Sequence, residues 1–431
     1  MPTAAFMAMG CKVSQFETES MEGLFKKRGY EIVPFDSVAD VYVINTCAVT
    51  KSGEAKSRKE IHRARRRNPD AVIAVTGCYA QVASDEIKSI DGVNVVLGTQ
   101  DRGRIVDEVE RAAGRTGVVD GVQDIMEARE FEDIPLYDTP KRTRAFLKIQ
   151  EGCDNYCSYC IIPYARGHQR SRHPESVRRE AEKLAGMGFC EIVLTGIHLG
   201  TYGRDLAGDI TLADAAREVL AIPGIKRLRL GSLESIELSP ELFTLIRGND
   251  RFAKHLHLPL QAGSDEILHR MNRHYDTGEF ARLLEHVWHE VPGVAISTDV
   301  IVGFPGETEE LFEESLDFVE SMGFTRVHVF PFSSRPGTPA ASMPGQVPEP
   351  VKKERVHRMK EVALRKAEAF HASFNGRTMD VLFEARNKDG IADGLTGNYI
   401  RVYTDEPVKL GEIQGIKLVK TYRDGMWGRI E

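Results

Sequence analysis

Glu151-Gly-Cys153-Asp-Asn-Tyr-Cys157-Ser-Tyr-Cys160-Ile-Ile-Pro163 holds three of the seven cysteines of this 431-residue chain. The C-x3-C-x2-C spacing gathers three thiols on one short loop and supplies no local fourth. Three thiolates can hold three irons of a four-iron cluster and leave the fourth iron open to a ligand, which is where chemistry can happen. The alternative is a structural zinc site with His168 as fourth ligand, although zinc sites more often use two short Cys/His pairs separated by a longer loop.

The length predicts two or three domains, and 42% hydrophobic residues suffice for ordinary cores. A formal net charge of -7 excludes a uniformly basic coat, so nucleic-acid contact has to come from local patches. The first residues lack the positive start and long apolar stretch of a secretory signal, and no apolar run approaches bilayer-spanning length. A cytoplasmic, reduced setting without membrane contact is therefore expected, and there cysteines point to metal or catalysis rather than to disulfides.

Three N-terminal segments read as short buried strands closing on a cysteine: Ala4 to Met9 before Cys11, Val41 to Asn45 before Cys47, and Ala71 to Val75 before Cys78. Polar, helix-like stretches follow them, the pattern of a doubly wound parallel sheet with crossover helices. Ligands bind such sheets outside the carboxyl ends of the strands, so all three cysteines fall on one edge. Cysteine also serves as a small buried hydrophobe, but three at equivalent places suggest a second cluster with one iron unfilled. Cys190 is left over, ahead of a strand, and reads as structural. Between Cys47 and Cys78 a helical stretch carries Lys56, Arg58, Lys59, Arg63, Arg65, Arg66 and Arg67. A solvated face and a row of phosphate contacts both fit that charge.

The segment Asp138 to Arg144 reads as a linker. Beyond it six strand candidates alternate with helix-length segments: Ala145 to Gln150, Glu191 to Leu194, Lys226 to Gly231, His255 to Leu260, Ala295 to Val302 and Arg326 to Phe330. Six such units predict a partial (βα)6 barrel with its functional residues just after each strand. Gly196, Ser232, Glu234, Ser235, Gln261, Gly303 and Gly306 stand at those places, where glycines admit close backbone approach and polar groups bond a ligand. Gly303 and Gly306 also read as turn residues before a helix near Thr308, and Glu234 as a helix-entry carboxylate. His198, His255 and His257 read as packing or hydrogen-bonding residues. A charged helix is expected from Val351 to about Phe374. After it, alternating stretches at Met379 to Glu384, Tyr399 to Tyr403, Ile413 to Tyr422 and Met426 to Ile430 predict a small antiparallel β-barrel. Tyr399, Arg401, Tyr403, Lys417 and Trp427 are its candidates for RNA contact, or else ordinary barrel surface and core.

The strings Phe146-Leu-Lys-Ile-Gln-Glu-Gly-Cys153 and Cys157-Ser-Tyr159-Cys160-Ile-Ile-Pro-Tyr-Ala-Arg166-Gly167, with the aromatic Tyr159 before the last cysteine, carry a resemblance spanning nearly the whole chain. The chain resembles the methylthiotransferases of the radical S-adenosylmethionine (SAM) superfamily. Met9-Gly-Cys11-Lys12-Val13 is similar to the branch that modifies N6-threonylcarbamoyladenosine in tRNA. Ser14 and Ala262 depart from the pattern, which commonly has Asn and Ser there. The resemblance implies an N-terminal methylthiotransferase domain (1–115), a linker (116–143), a radical SAM core (144–373) and a C-terminal TRAM barrel (374–431). It implies two 4Fe-4S clusters, one on Cys153, Cys157 and Cys160 that binds SAM, the other on Cys11, Cys47 and Cys78 that carries the transferred sulfur. All six cysteines would then be catalytic, and Tyr159, Gly196, Ser232, Glu234, Gln261 and Gly303 are the expected SAM contacts. The implied partners are the anticodon arm of tRNA, a one-electron reductant such as flavodoxin or ferredoxin, and a sulfur source. Alternatives are isopentenyladenosine in tRNA, a ribosomal-protein aspartate, and a noncatalytic RNA-binding protein stabilised by metal. Among RNA contacts, the basic helix and Arg401 and Lys417 are expected.

Overall fold

The computed structural model describes residues 1–137, 142–234 and 238–430, and the chain divides into two compact units. The first comprises residues 1–140, 150–172 and 333–341, the second residues 141–149, 173–332 and 342–431. Residues 138–141 of the expected linker and Ser235 lie outside the described residues.

The first unit is built on six parallel strands, β1 (Thr3–Ala8), β2 (Glu31–Val33), β3 (Val41–Thr46), β4 (Val72–Gly77), β5 (Val93–Val96) and β6 (Val119–Asp120), in the order β2-β1-β3-β4-β5-β6. Every residue of β3 is buried, as a central strand covered on both faces requires. Side-chain alternation divides the strands between two cores. Val41 and Val43 pack with Met21 and Phe25 of α1 (Lys12–Lys27) and with Val106 and Val109 of the helix Ile105–Ala112. Tyr42 and Ile44 pack on the other face with Ile61 and Ala64 of α2 (Lys51–Arg67). Strand order reverses between β1 and β3, and open α/β sheets leave their ligand crevice at such a switch point.

Part of the expected linker is built into the first unit. Its residues Val119 and Asp120 form the edge strand β6, and Glu132 and Asp133 pair with Arg102 and Arg172. The cysteine loop, expected with the barrel, belongs to the first unit, where the pair Gln150–Glu151 and Arg170–Ser171 closes its base as antiparallel strands.

The second unit carries two parallel sheets, one with Arg227–Leu230, Glu191–Thr195 and Ala145–Lys148, the other with His255–His257, Ala295–Val302 and Arg326–Pro331. Parallel bridges Leu228 to Phe252 and Ser232 to His257 join them into the expected six-stranded partial barrel. The charged helix runs Glu349–Ala372, and five strands after it close into a barrel. That barrel is not wholly antiparallel, since Arg401–Thr404 pairs in parallel with Gly425–Arg429. Its strand Ala392–Thr396 escaped the sequence reading because Asp393 and Gly394 break the alternation. Gly394 is required there, as a methyl group on it would lie 2.2 Å from the Leu382 carbonyl oxygen. Among the described residues no helix is long and apolar enough to cross a membrane.

Candidate iron–sulfur and SAM site

Cys11 stands at the N-terminal end of α1 shortly after β1, Cys47 follows β3, and Cys78 opens the short helix α3 (Cys78–Val82) directly after β4. These strands are neighbours in register, Ala8 opposite Asn45 and Thr46 opposite Gly77, so the three thiols share one sheet edge as the sequence predicted. Two left-handed glycines shape it. A methyl group on Gly10 (φ 95) would lie 3.0 Å from Cys47 Sγ, and one on Gly77 (φ 95) would lie 2.3 Å from Asn45 Oδ1. Cys11 is exposed, Cys47 half-buried and Cys78 buried. Burial pushes the Cys47 thiol up and the Cys78 thiol up to about 11, against the downward pull of Arg166. Metal bound here must displace those protons, so affinity rises with pH.

Arg166 ends the helix Ile162–Arg166, which follows Cys160 almost immediately. Its guanidinium is wholly buried and donates from Nε to Cys78 Sγ at 3.2 Å. Nη1 and Nη2 donate to Glu17 at 2.7 and 3.2 Å, and Nη1 also donates to Glu151. Arg102, equally buried, bridges Glu17 at 2.5 Å, Glu132 at 2.9 Å and Glu151 at 3.2 Å. Two guanidinia thus share three carboxylates, the pairing that buried charges require.

The C-x3-C-x2-C loop is held by its own backbone. Cys153 N donates to the Gly167 carbonyl at 3.1 Å and Cys160 N to that of Cys157 at 2.9 Å. Gly152 (φ 72) has no room for a side chain, because a methyl group would lie 1.9 Å from the His168 carbonyl oxygen. His168 Nδ1 sits 2.6 Å from Asp154. Among the described residues, the one group of three or more ligand atoms within 4.8 Å of one another is His257, Asp299 and His328. Each cysteine set offers three free thiols, the donor chemistry that fits three irons of a four-iron cubane.

In the second unit the expected SAM contacts stand at strand carboxyl ends. Gly196 follows Thr195, Ser232 bridges to His257, Gln261 (φ 71) bridges to Val300, and Gly303 (φ 74) follows Val302. Two have other partners. Glu234 pairs with Arg273, and Gly303, whose N–H donates to Glu307 at 2.7 Å, would meet Lys352 at 2.4 Å if it carried a methyl group. Thr308 caps the helix Glu309–Ser321. His257, expected as a packing or hydrogen-bonding residue, does sit with Nδ1 2.9 Å from Ser297 Oγ, while its grouping with Asp299 and His328 was not legible in the sequence. His257 Nε2 lies 3.2 Å from Asp299, and His328 is opposite Asp299 in register, so three adjacent strands present these side chains together. Cys190 is buried with Sγ 3.3 Å from the Gly411 carbonyl, a structural place.

The basic helix α2 divides into two sets. Arg58 bonds Tyr79 and Glu86, Arg63 pairs with Asp36 and Glu60, Arg65 donates to Pro69, and Arg67 donates to Phe35 and Asp36. Lys56, Lys59 and Arg66 are exposed at near-helical spacing and form one stripe. On the barrel, Arg401 pairs with Asp393 at 2.5 Å and Lys417 is exposed. Tyr399 is stacked on His255 at 4.5 Å with Arg229 over its ring, so it packs within the unit. Tyr403, Tyr422 and Trp427 form an edge-to-face run at 5.3 and 5.1 Å.

A family model described as "Radical SAM superfamily" matches residues 147–319, and one described as "Uncharacterized protein family UPF0004" matches residues 3–98. The threonylcarbamoyladenosine tRNA methylthiotransferase MtaB of Bacillus subtilis is 43% identical, over 100% of this chain and 97% of its own length. The MtaB of Aquifex aeolicus is 38% identical, over 95% of this chain and 98% of its own. Among solved structures, the radical SAM methyltransferase TsrM from Kitasatospora setae aligns with a TM-score of 0.60 at 14% identity, covering 79% of this chain and 77% of that one, a likeness of fold alone. The cysteine sets, the partial barrel and full-length similarity agree, and this chain belongs to the methylthiotransferase family of radical SAM enzymes.

Proposed function

We propose that this enzyme converts N6-threonylcarbamoyladenosine next to the anticodon of tRNA into its 2-methylthio derivative, acting in the cytoplasm. The observation that carries the reading is the gathering of Cys11, Cys47 and Cys78 on one sheet edge, in the compact unit that also holds the C-x3-C-x2-C loop. When bound, two 4Fe-4S clusters and SAM supply a carbon-centred radical and a methylated sulfur for transfer. Cys153, Cys157 and Cys160 would hold the cluster that binds SAM. Cys11, Cys47 and Cys78 would hold the cluster that supplies the sulfur.

Tyr159, Gly196, Ser232, Gln261 and Gly303 orient SAM, with His257, Asp299 and His328 offering further polar groups on adjacent strands. Glu234, held by Arg273, acts at most from behind. Lys56, Lys59 and Arg66 contact tRNA phosphates, while the paired Arg58, Arg63, Arg65 and Arg67 shape that face. Arg401, Lys417 and the Tyr403–Tyr422–Trp427 run serve the anticodon arm from the barrel. A small one-electron reductant and a sulfur donor complete the cycle. Nucleoside mass spectrometry of tRNA from cells lacking this protein tests the reading. The 2-methylthio form of threonylcarbamoyladenosine should vanish and return when the chain is restored, and its persistence would refute the assignment.

A further inference from the structure

We propose that Arg166 is the positioning residue that sets the reduction potential of the N-terminal iron–sulfur site through the Cys78 corner. This rests on the reading of Cys11, Cys47 and Cys78 as an iron–sulfur site. The geometry leaves the guanidinium no freedom. It is wholly buried, Glu17 grips both terminal nitrogens, Glu151 takes a further bond, and Nε is left directed at Cys78 Sγ at 3.2 Å.

Cys11 is exposed, so water sets the polarity at that corner. Cys78 is buried, so the protein sets it there, and its fixed donor is Arg166. An N–H bond to a ligand sulfur and a buried positive charge both favour the state holding one more electron, and the effect is strong in a low-dielectric interior. Glu17 and Glu151 balance the charge, but the Nε–H bond goes to sulfur.

That property matters to the reaction. Joining a carbon radical to a thiolate held on that site would form a C–S bond, break the bond from that sulfur to iron and leave one electron over. The iron of the same site would take up that electron and be reduced, so its potential would bear on whether transfer is downhill. Arg166 also stands on the helix that follows Cys160, so the chain segment binding SAM's cluster itself supplies the donor for the other cluster.

The test uses full-length protein with Cys153, Cys157 and Cys160 all changed to Ala, loaded anaerobically with iron and sulfide and titrated by electron paramagnetic resonance. Three variants are compared in that background. Arg166→Lys keeps the charge and loses the Nε–H, Arg166→Gln with Glu17→Gln keeps the charge balance and loses both, and Arg102→Lys perturbs the same ion network away from sulfur. At the potential that half-reduces the parent, the double variant should show a reduced-to-oxidised ratio at least tenfold lower, equivalent to about 59 mV for one electron. Arg166→Lys should fall between, and Arg102→Lys should stay with the parent. Iron-loaded Arg166 variants that melt lower yet titrate with the parent would overturn the proposal, leaving Arg166 a purely structural role. Loss of iron from both would overturn it too, because the contact would then build the site. Absence of iron from the parent would instead refute the iron–sulfur reading itself.

Discussion

Gly77→Ala should empty the N-terminal site while sparing the SAM-binding one. The position has φ 95, outside the range alanine tolerates, and holding a non-glycine residue in such a region costs about 1–3 kcal/mol. A methyl group would stand 2.3 Å from Asn45 Oδ1, 2.6 Å from the Thr46 carbonyl oxygen and 2.7 Å from Thr46 N. Real contacts of this kind are not closer than 3.0 Å, and the last two atoms belong to the backbone of the central strand β3. Relief therefore needs movements of about 0.3–0.7 Å in the peptide that delivers Cys78, beyond the roughly 0.2 Å that metal–ligand distances tolerate. Iron in anaerobically loaded protein should fall from about eight to about four per chain, the content of one remaining cubane. SAM cleavage should continue and thiomethylation should cease. Gly29→Ala is the control, because Gly29 has φ 94 with no neighbouring atom within 4 Å of the added methyl group. It should show the backbone cost alone and keep its iron. Full iron content and normal thiomethylation in Gly77→Ala would refute the argument that the Gly77 turn sets the site.

Cys157→Ala should abolish SAM cleavage, whereas Cys47→Ala should keep cleavage and lose thiomethylation; assay of 5'-deoxyadenosine and of modified nucleoside separates the two. Replacing Lys56, Lys59 and Arg66 with Ala should weaken tRNA binding and reduce the slope of log affinity against log salt by about 2–3, at roughly 0.7–0.9 per phosphate contact. Unchanged slope in filter binding would remove α2 from the RNA surface. Glu191, buried against Arg229 at 3.0 Å and Arg227 at 3.1 Å, should cost about 3–5 kcal/mol of stability in urea unfolding when changed to Gln. Burial pushes the Glu191 carboxyl up, but those guanidinia outweigh it and hold the carboxyl below its usual 4.5. Its stabilisation is thus present above about pH 4.5 and lost as pH falls through the lower folded value, a component that Glu191→Gln should lack.

The sequence alone was enough to count the thiols, to put each of Cys11, Cys47 and Cys78 at a strand's carboxyl end, and to lay out six strand-helix units from Ala145 onward. These are local signals, written in apolar runs and turn residues, and the folded chain keeps them with boundary shifts of a few residues. Strand Ala392–Thr396 escaped because its side chains lack alternation, and its existence depends on Gly394 fitting over Leu382 in the folded barrel. The basic helix read as one uniform charge, yet Asp36, Glu60 and Glu86 engage part of it, and two of these three come from outside the helix.

Adjacency was settled only in three dimensions. Strand order β2-β1-β3-β4 makes neighbours of thiols that are more than thirty residues apart, and no spacing in the chain states that order. Arg166 is one of many arginines until burial beside Glu17 and Glu151 aims its Nε at Cys78. His257, Asp299 and His328 lie on separate strands and meet through register. Which groups a chain contains, and which strand ends carry them, follows from local patterning. Which groups touch follows from the burial of apolar strand faces and the pairing of buried charges, both cooperative properties of the whole fold.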